Sequence, residues 1–253
     1  DNVFTDNVIS DHRERGIYLS SSNGNTFFGT IVSHNGLWGS DAIYLSRSDN
    51  NEFQNLTVSN NLGPGIRLYG SSNNLLSGSV VENNSGYGIY LYDFSSDNTI
   101  SSMYIANNSG NGIYLNYWSI NNLFINNTIA NNAYGAYIID NSDNNQIYHN
   151  NFINNTDQAY DEGQNTWNSS YPSGGNYWSN YSPTSPDLYN GAITPQTTGS
   201  PDGICDSQYN ISIDNIDYYP LKGPWEAQSS SDITPPGTII NLAASSPTPD
   251  SIT

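Results

Sequence analysis

Residues able to do acid–base or metal chemistry gather in one place. Asp11, His12, Arg13, Glu14 and Arg15 are consecutive, and His34 lies in nearly the same register one repeat later. His beside Asp and Arg can move a proton or hold a metal. Asp11, His12, Arg13 and His34 are therefore the candidate catalytic cluster, against the plainer reading of a solvated turn. The carboxylates Asp41, Asp49, Asp93, Asp97, Asp140 and Asp143 sit near strand–turn junctions with no obvious partner. Hydrolysis of a glycosidic bond needs two facing carboxyl groups, and no such pair stands out. Chemistry on acidic sugars needs a cation beside its base. The cations are Arg13, Arg15, Arg47, Arg67 and Lys222.

Asp202-Gly203-Ile204-Cys205-Asp206 reads as half of an acidic calcium loop. Calcium takes six to eight oxygens on a loop that bends at glycine. Asp202, Asp206 and Asp217 (or Asp214) would supply them, although an ordinary acidic turn uses the same residues. No cofactor is required, and calcium is the one ion foreseen. Copper favours His, Met and Cys, and three scattered His with the single Met103 argue against it. Tyr18, Tyr44, Tyr90, Tyr114 and Tyr137 share one outward register, with Arg67 in that place in the third unit. A strip of tyrosines can lie against sugar rings or a partner surface. The strand preference and self-stacking of Tyr explain the strip without any ligand.

These residues hang on a repeat. Asn2, Asn25, Asn51, Asn74, Asn98, Asn122 and Asn145 open units spaced 23, 26, 23, 24, 24 and 23 residues apart. The long step fits an insertion at Asn35-Gly36-Leu37-Trp38-Gly39-Ser40. Apolar residues stand two and seven positions after each mark, as in Leu76 and Val81. A third segment follows, Gly-Ile-Tyr-Leu in its commonest form, whose Gly is expected to shape the preceding turn. Alternation with period two argues strand. Short units holding only strands argue solenoid. The fold expected is all-β: a right-handed parallel β-helix, a three-strand solenoid of about seven coils, with an irregular aromatic-rich C-terminal cap. Stacked Asn side chains saturate one another's amides, which accounts for the asparagine load.

The motif Asn-x-(Ile/Phe) … Asn-x-x-Gly-Ile-Tyr-Leu resembles the NosD-like, carbohydrate-binding and sugar-hydrolase repeats of periplasmic and surface proteins. The resemblance runs over residues 2–160. It implies the fold and says little about activity, because one scaffold carries many functions. Gly175-Asn176-Tyr177-Trp178-Ser179-Asn180-Tyr181 and Tyr219-Pro220-Leu221 resemble the ending of such repeats. The organisation expected is coils over 1–160, a cap over 161–226 and a linker over 227–233. Residues 234–253 resemble the first strand of a fibronectin type III module, either cut short or donated to a neighbour.

A net charge of −18, from 5 Lys+Arg against 23 Asp+Glu, excludes nucleic acid as a partner. No run of about 20 apolar residues offers a membrane span. One cysteine, Cys205, excludes an intrachain disulfide framework. Sequons occur at Asn55, Asn83, Asn107, Asn126, Asn154, Asn168, Asn180 and Asn210, candidate glycan acceptors if the protein is secreted. The function expected is a non-catalytic extracellular or cell-surface structural or adhesive module. Its expected partners are polysaccharide, copies of itself or other surface proteins. The competing expectation is a polysaccharide lyase, epimerase or hydrolase on the same scaffold.

Overall fold

A computed structural model describes residues 1–183 and 187–226. The expected linker and the fibronectin-like strand lie outside the described residues. The chain winds into a parallel β-helix. A single coil shows the plan: strands Leu75–Ser77, Val80–Glu82 and Ile89–Tyr92, separated by two tight corners and one broader turn. Each strand pairs in parallel with its counterparts one coil before and one coil after. Three sheets result, of seven, eight and seven strands. Among the described residues no helix is long and apolar enough to cross a membrane.

Register is strict because each short strand buries its central or alternate residues. Val58, Val81, Ile105, Ile129 and Phe152 stack in the second sheet. In the third sheet Ile66, Ile89 and Ile113 stack, as do Leu68, Leu91 and Leu115. All of these are buried. Each aliphatic side chain removed from water in this way is worth roughly 1.5–3 kcal/mol.

The Asn-Asn pairs divide their labour. The first Asn turns the chain with a positive φ, 57° at Asn73 and 58° at Asn121, a region Asn tolerates better than most residues. The second points inward and joins a ladder. From Asn2 to Asn165, each Oδ1 accepts both the backbone N–H and the side-chain Nδ2 of the Asn one coil before. A second ladder runs through Asn35, Asn61, Asn84, Asn108, Asn132 and Asn155.

The glycine before Ile-Tyr-Leu has a different role from the one expected. A Cβ on Gly88 would stand 2.5 Å from Ile105 Cγ2 and 2.6 Å from Gly112 O. Glycine is there because neighbouring coils approach closely, not because a turn needs it.

The coils continue beyond residue 160. Thr166 bridges Gln146, and Tyr177–Trp178 pairs with Asn151 and Phe152. Asn165 and Asn176 receive the ladder bonds of Asn145 and Asn150. Trp178 stacks on Phe152 at 4.5 Å, and Tyr209 on Trp178 at 4.3 Å. The eighth turn and the cap thus close the apolar interior that the last full coil would expose.

Candidate functional site

The third sheet carries an uninterrupted outward column: Tyr18, Tyr44, Arg67, Tyr90, Tyr114, Tyr137 and Tyr160. Parallel pairing without a register shift puts one of them on every coil. Tyr18 and Tyr44 stack at 5.4 Å, Tyr90 and Tyr114 at 4.6 Å, and Tyr137 and Tyr160 at 5.1 Å. Arg67 fills the gap left by a missing ring. Its guanidinium lies 5.9 Å from the Tyr44 centroid and 5.1 Å from that of Tyr90. A planar guanidinium can take a ring's place in such a stack.

This geometry changes what the strip offers. Within each of these three pairs the rings cover one another's faces, whereas Tyr137 tilts 55° from Tyr114 at 5.6 Å, so the column presents mostly ring edges and a row of phenol hydroxyls. Tyr87 packs edge-on to Tyr90 at 5.4 Å, and Tyr134 tilts against Tyr137 at 4.9 Å, along one flank. On the other flank Tyr92 approaches Tyr90 and Tyr117. Phe94 and Trp118 stand exposed beyond it. Burial, reinforced by Tyr114, pushes the Tyr90 phenol up to about 12. Burial also raises Tyr114. These hydroxyls stay protonated and can donate to a ligand oxygen.

One ionic cluster lies beside this column, and inspection of the sequence missed it. Asp41 is buried next to Arg67 and Arg15. Arg67 Nε stands 2.9 Å from Asp41 Oδ1, and Arg15 Nε stands 4.0 Å from Oδ2. Neither contact is aligned as a hydrogen bond, so both Nε atoms and Oδ1 are buried without a hydrogen-bond partner. Burial raises the Asp41 carboxyl above its usual range, while Arg67 and then Arg15 pull it back. Arg15 also lies over Tyr18 and Tyr44, at 5.1 and 4.6 Å. The signal was in the repeat: Arg15 and Asp41 each stand one residue before the residue that opens the third strand segment, Gly16 and Ala42.

The expected catalytic cluster lies at the surface of the first coils. Asp11, His12, Arg13 and His34 are all exposed. Asp11 and His34 occupy the same positive-φ corner on successive coils, with φ of 62° and 57°. Among the described residues no ion pair joins any of the four. Each carboxylate of the expected calcium set accepts N–H donors within the cap. Asp206 accepts Leu188 N and Tyr189 N. Asp202 accepts Ile204 N, and Asp217 accepts Asn176 N, Trp178 Nε1 and Tyr219 N. Among the described residues no three His, Cys, Asp or Glu side chains converge as a metal site.

Residues 1–183 match the family model described as "Periplasmic copper-binding protein (NosD)". Among solved structures, the chain is similar to the periplasmic alginate epimerase AlgG at 22% identity and a TM-score of 0.58, over 64% of this chain and 38% of that one. It is similar to the AlgE6 A-module of the Azotobacter vinelandii mannuronan C-5 epimerase at 18% and 0.60, over 65% and 50%. It is also similar to ORF18 of Geobacillus virus E2 at 14% and 0.54, over 66% and 38%. The chain thus spans half or less of each of these structures. At such identities the fold is what is shared. A search of curated proteins found no match.

The soft ligands that copper requires do not fit a site among the described residues. Met103 is in the core. Cys205 is buried in the cap, and burial pushes its thiol up to about 12. His149 is stacked on Trp225 at 3.5 Å, with its Nε2 2.7 Å from Ser173 O. His12 and His34 lie at the opposite end of the solenoid, too few to chelate copper alone.

Proposed function

The chain belongs to the NosD family, and from that premise we propose that it is a non-catalytic module working outside the cytoplasm, whose tyrosine face binds an extended glycan running along the solenoid axis. The observation that carries this reading is the column from Tyr18 to Tyr160, unbroken because Arg67 replaces a ring. It sets one hydrogen-bonding group per coil, about 4.8 Å apart, along one straight face. A repeating polymer suits a repeating row of donors. The scaffold it shares with alginate epimerases supports the glycan class. Asp93, Asp140 and Glu162 lie beside Tyr69, Tyr114 and Tyr160. With the net charge of −18, they favour a glycan that is neutral over most of its contact.

Titration calorimetry against a panel of neutral and acidic polysaccharides tests this. The triple variant Tyr90→Phe, Tyr114→Phe, Tyr137→Phe keeps the stack and removes three hydroxyls. At roughly 1 kcal/mol for each lost hydrogen bond, affinity should fall by a factor on the order of 100. Equal affinity of variant and wild type, or no glycan bound by either, overturns the reading.

The Arg15–Asp41–Arg67 cluster favours a second reading, in which the same face modifies an acidic polysaccharide. Asp41 would take the proton from the carbon that bears a sugar carboxylate neutralised by the two arginines; that carbon then regains a proton on its other face, or the bond from the neighbouring carbon to the glycosidic oxygen breaks and leaves an unsaturated end. Nuclear magnetic resonance of the incubated polymer would show epimerised units or unsaturated ends. In that case Asp41→Asn should reduce product at least about a hundredfold, as loss of a general base does, with binding retained. Absence of product from every glycan bound leaves the non-catalytic reading standing.

A further inference from the structure

We infer that Asn83, Asn107 and Asn154 are acceptors of N-linked glycans, displayed in one column along the corner between the second and third sheets. Each begins an Asn-x-Ser/Thr sequon, with Ser85, Ser109 and Thr156 as the hydroxyl residues. Each takes the positive-φ corner, at 56°, 56° and 52°. Each is exposed, and so is its Ser or Thr. None of these six side chains makes a hydrogen bond among the described residues, whereas the next residue of each (Asn84, Asn108, Asn155) is buried and bonded in the ladder. The acceptor amide is therefore free, and the hydroxyl that the reaction needs has no competing partner.

The other sequons differ. Asn168 accepts Tyr218 N, Asn180 accepts the Tyr209 hydroxyl, and Asn210 accepts Gln208 Nε2. Asn126 Oδ1 is buried. Asn55 lies over Gly78, where an added Cβ would stand 2.5 Å from its Oδ1.

The sequons occupy a subset of the Asn-Asn corners: in this same column Asn60 and Asn131 take the positive-φ position and are followed by Leu62 and Ala133. Before the first sheet, Asn50, Asn73, Asn121 and Asn144 hold the same positive-φ position. Two residues on stand Glu52, Leu75, Leu123 and Gln146, never Ser or Thr. Where Thr does stand there, as Thr26 and Thr99, the corner residue is Gly24 or Asp97. Sequons are thus missing from the corner next to the exposed Phe94 and Trp118, and present on the opposite flank of the tyrosine face.

The modification joins Asn Nδ2 to the anomeric carbon of a lipid-phosphate-linked oligosaccharide. The bond from that carbon to the phosphate oxygen breaks, the lipid phosphate leaves, and the amide gives up one proton. This inference rests on the location outside the cytoplasm proposed above. It does not rest on glycan binding by the tyrosine face.

The test is glycopeptide mass spectrometry of the protein purified from the cells that make it, with fractionation to locate it. Peptides containing Asn83, Asn107 and Asn154 should carry hexose- or amino-sugar-bearing masses. Ser85→Ala, Ser109→Ala and Thr156→Ala should each remove the mass at one site and leave thermal unfolding unchanged, because those hydroxyls bond to nothing among the described residues. Unmodified peptides from protein recovered outside the cytoplasm, in cells whose other exported proteins carry N-glycans, overturn the inference and leave the location intact. Recovery only from the cytoplasm overturns both.

Discussion

Replacing Asn122 with alanine should destabilise the solenoid by about 3–6 kcal/mol, the cost of stranding two or three buried polar groups. Asn122 Oδ1 accepts Asn98 N at 2.9 Å and Asn98 Nδ2 at 3.0 Å. Its own Nδ2 donates to Asn145 Oδ1 at 3.0 Å and to Ser95 O at 3.1 Å. Asn98, Asn122 and Asn145 are at most 1% exposed, so water cannot take over the lost bonds. Its neighbour is the control. Asn121 is exposed, with a φ of 58°, and Asn121→Ala should cost only the left-handed strain of alanine, about 1–2 kcal/mol. Urea unfolding followed by circular dichroism measures both. Each coil touches only its neighbours, so a break in this sixth coil should also split or broaden the transition. Equal midpoint shifts in the two variants would show that the ladder does not hold the coils together.

That contrast explains which parts of the molecule could be read from the chain. The ladder from Asn2 to Asn145 was legible because one residue type recurs at a nearly fixed step, and only stacking gives such a step a purpose. The eighth turn was not legible. Asn165 follows Asn145 by 20 residues and Asn176 follows Asn150 by 26, so the rung survives while the period fails. Trp178 takes the place of Phe152 in the core stack. A search for Ile or Val at that position passes over it.

The tyrosine column was equally plain as a register. Register says which residues are neighbours, but not which way a ring turns. The 6–8° angles between Tyr90 and Tyr114 and between Tyr18 and Tyr44 turn hydroxyls rather than ring faces outward in those pairs, while Tyr137 tilts 55° from Tyr114. Asp41 stayed hidden for another reason. Its partners are Arg15 one coil before and Arg67 one coil after, so no local window contains the cluster. For the acidic residues of the cap, a sequence shows the carboxylates and hides the N–H donors that they accept.

Asp217 provides the sharpest test of the cap. It is buried, and burial pushes its carboxyl from 3.8 up to about 7 against the pull of Asn176 N, Trp178 Nε1 and Tyr219 N. A folded-state value above the unfolded one means that the folded chain keeps a proton the unfolded chain has released. Stability from this group is therefore complete below about pH 4 and is lost as pH rises through about 7. A shift of about three units corresponds to roughly 4 kcal/mol. Asp217→Asn has no proton to lose, so its stability should not follow this slope. Measured by urea unfolding at intervals from about pH 4 to pH 8, the variant should gain on the wild type by roughly 4 kcal/mol, whatever the offset between them at acid pH. A constant difference across that window would mean that three N–H donors outweigh burial. The carboxylate would then be charged at neutral pH, and the cap would be held on the last coil by an anion rather than by a neutral acid.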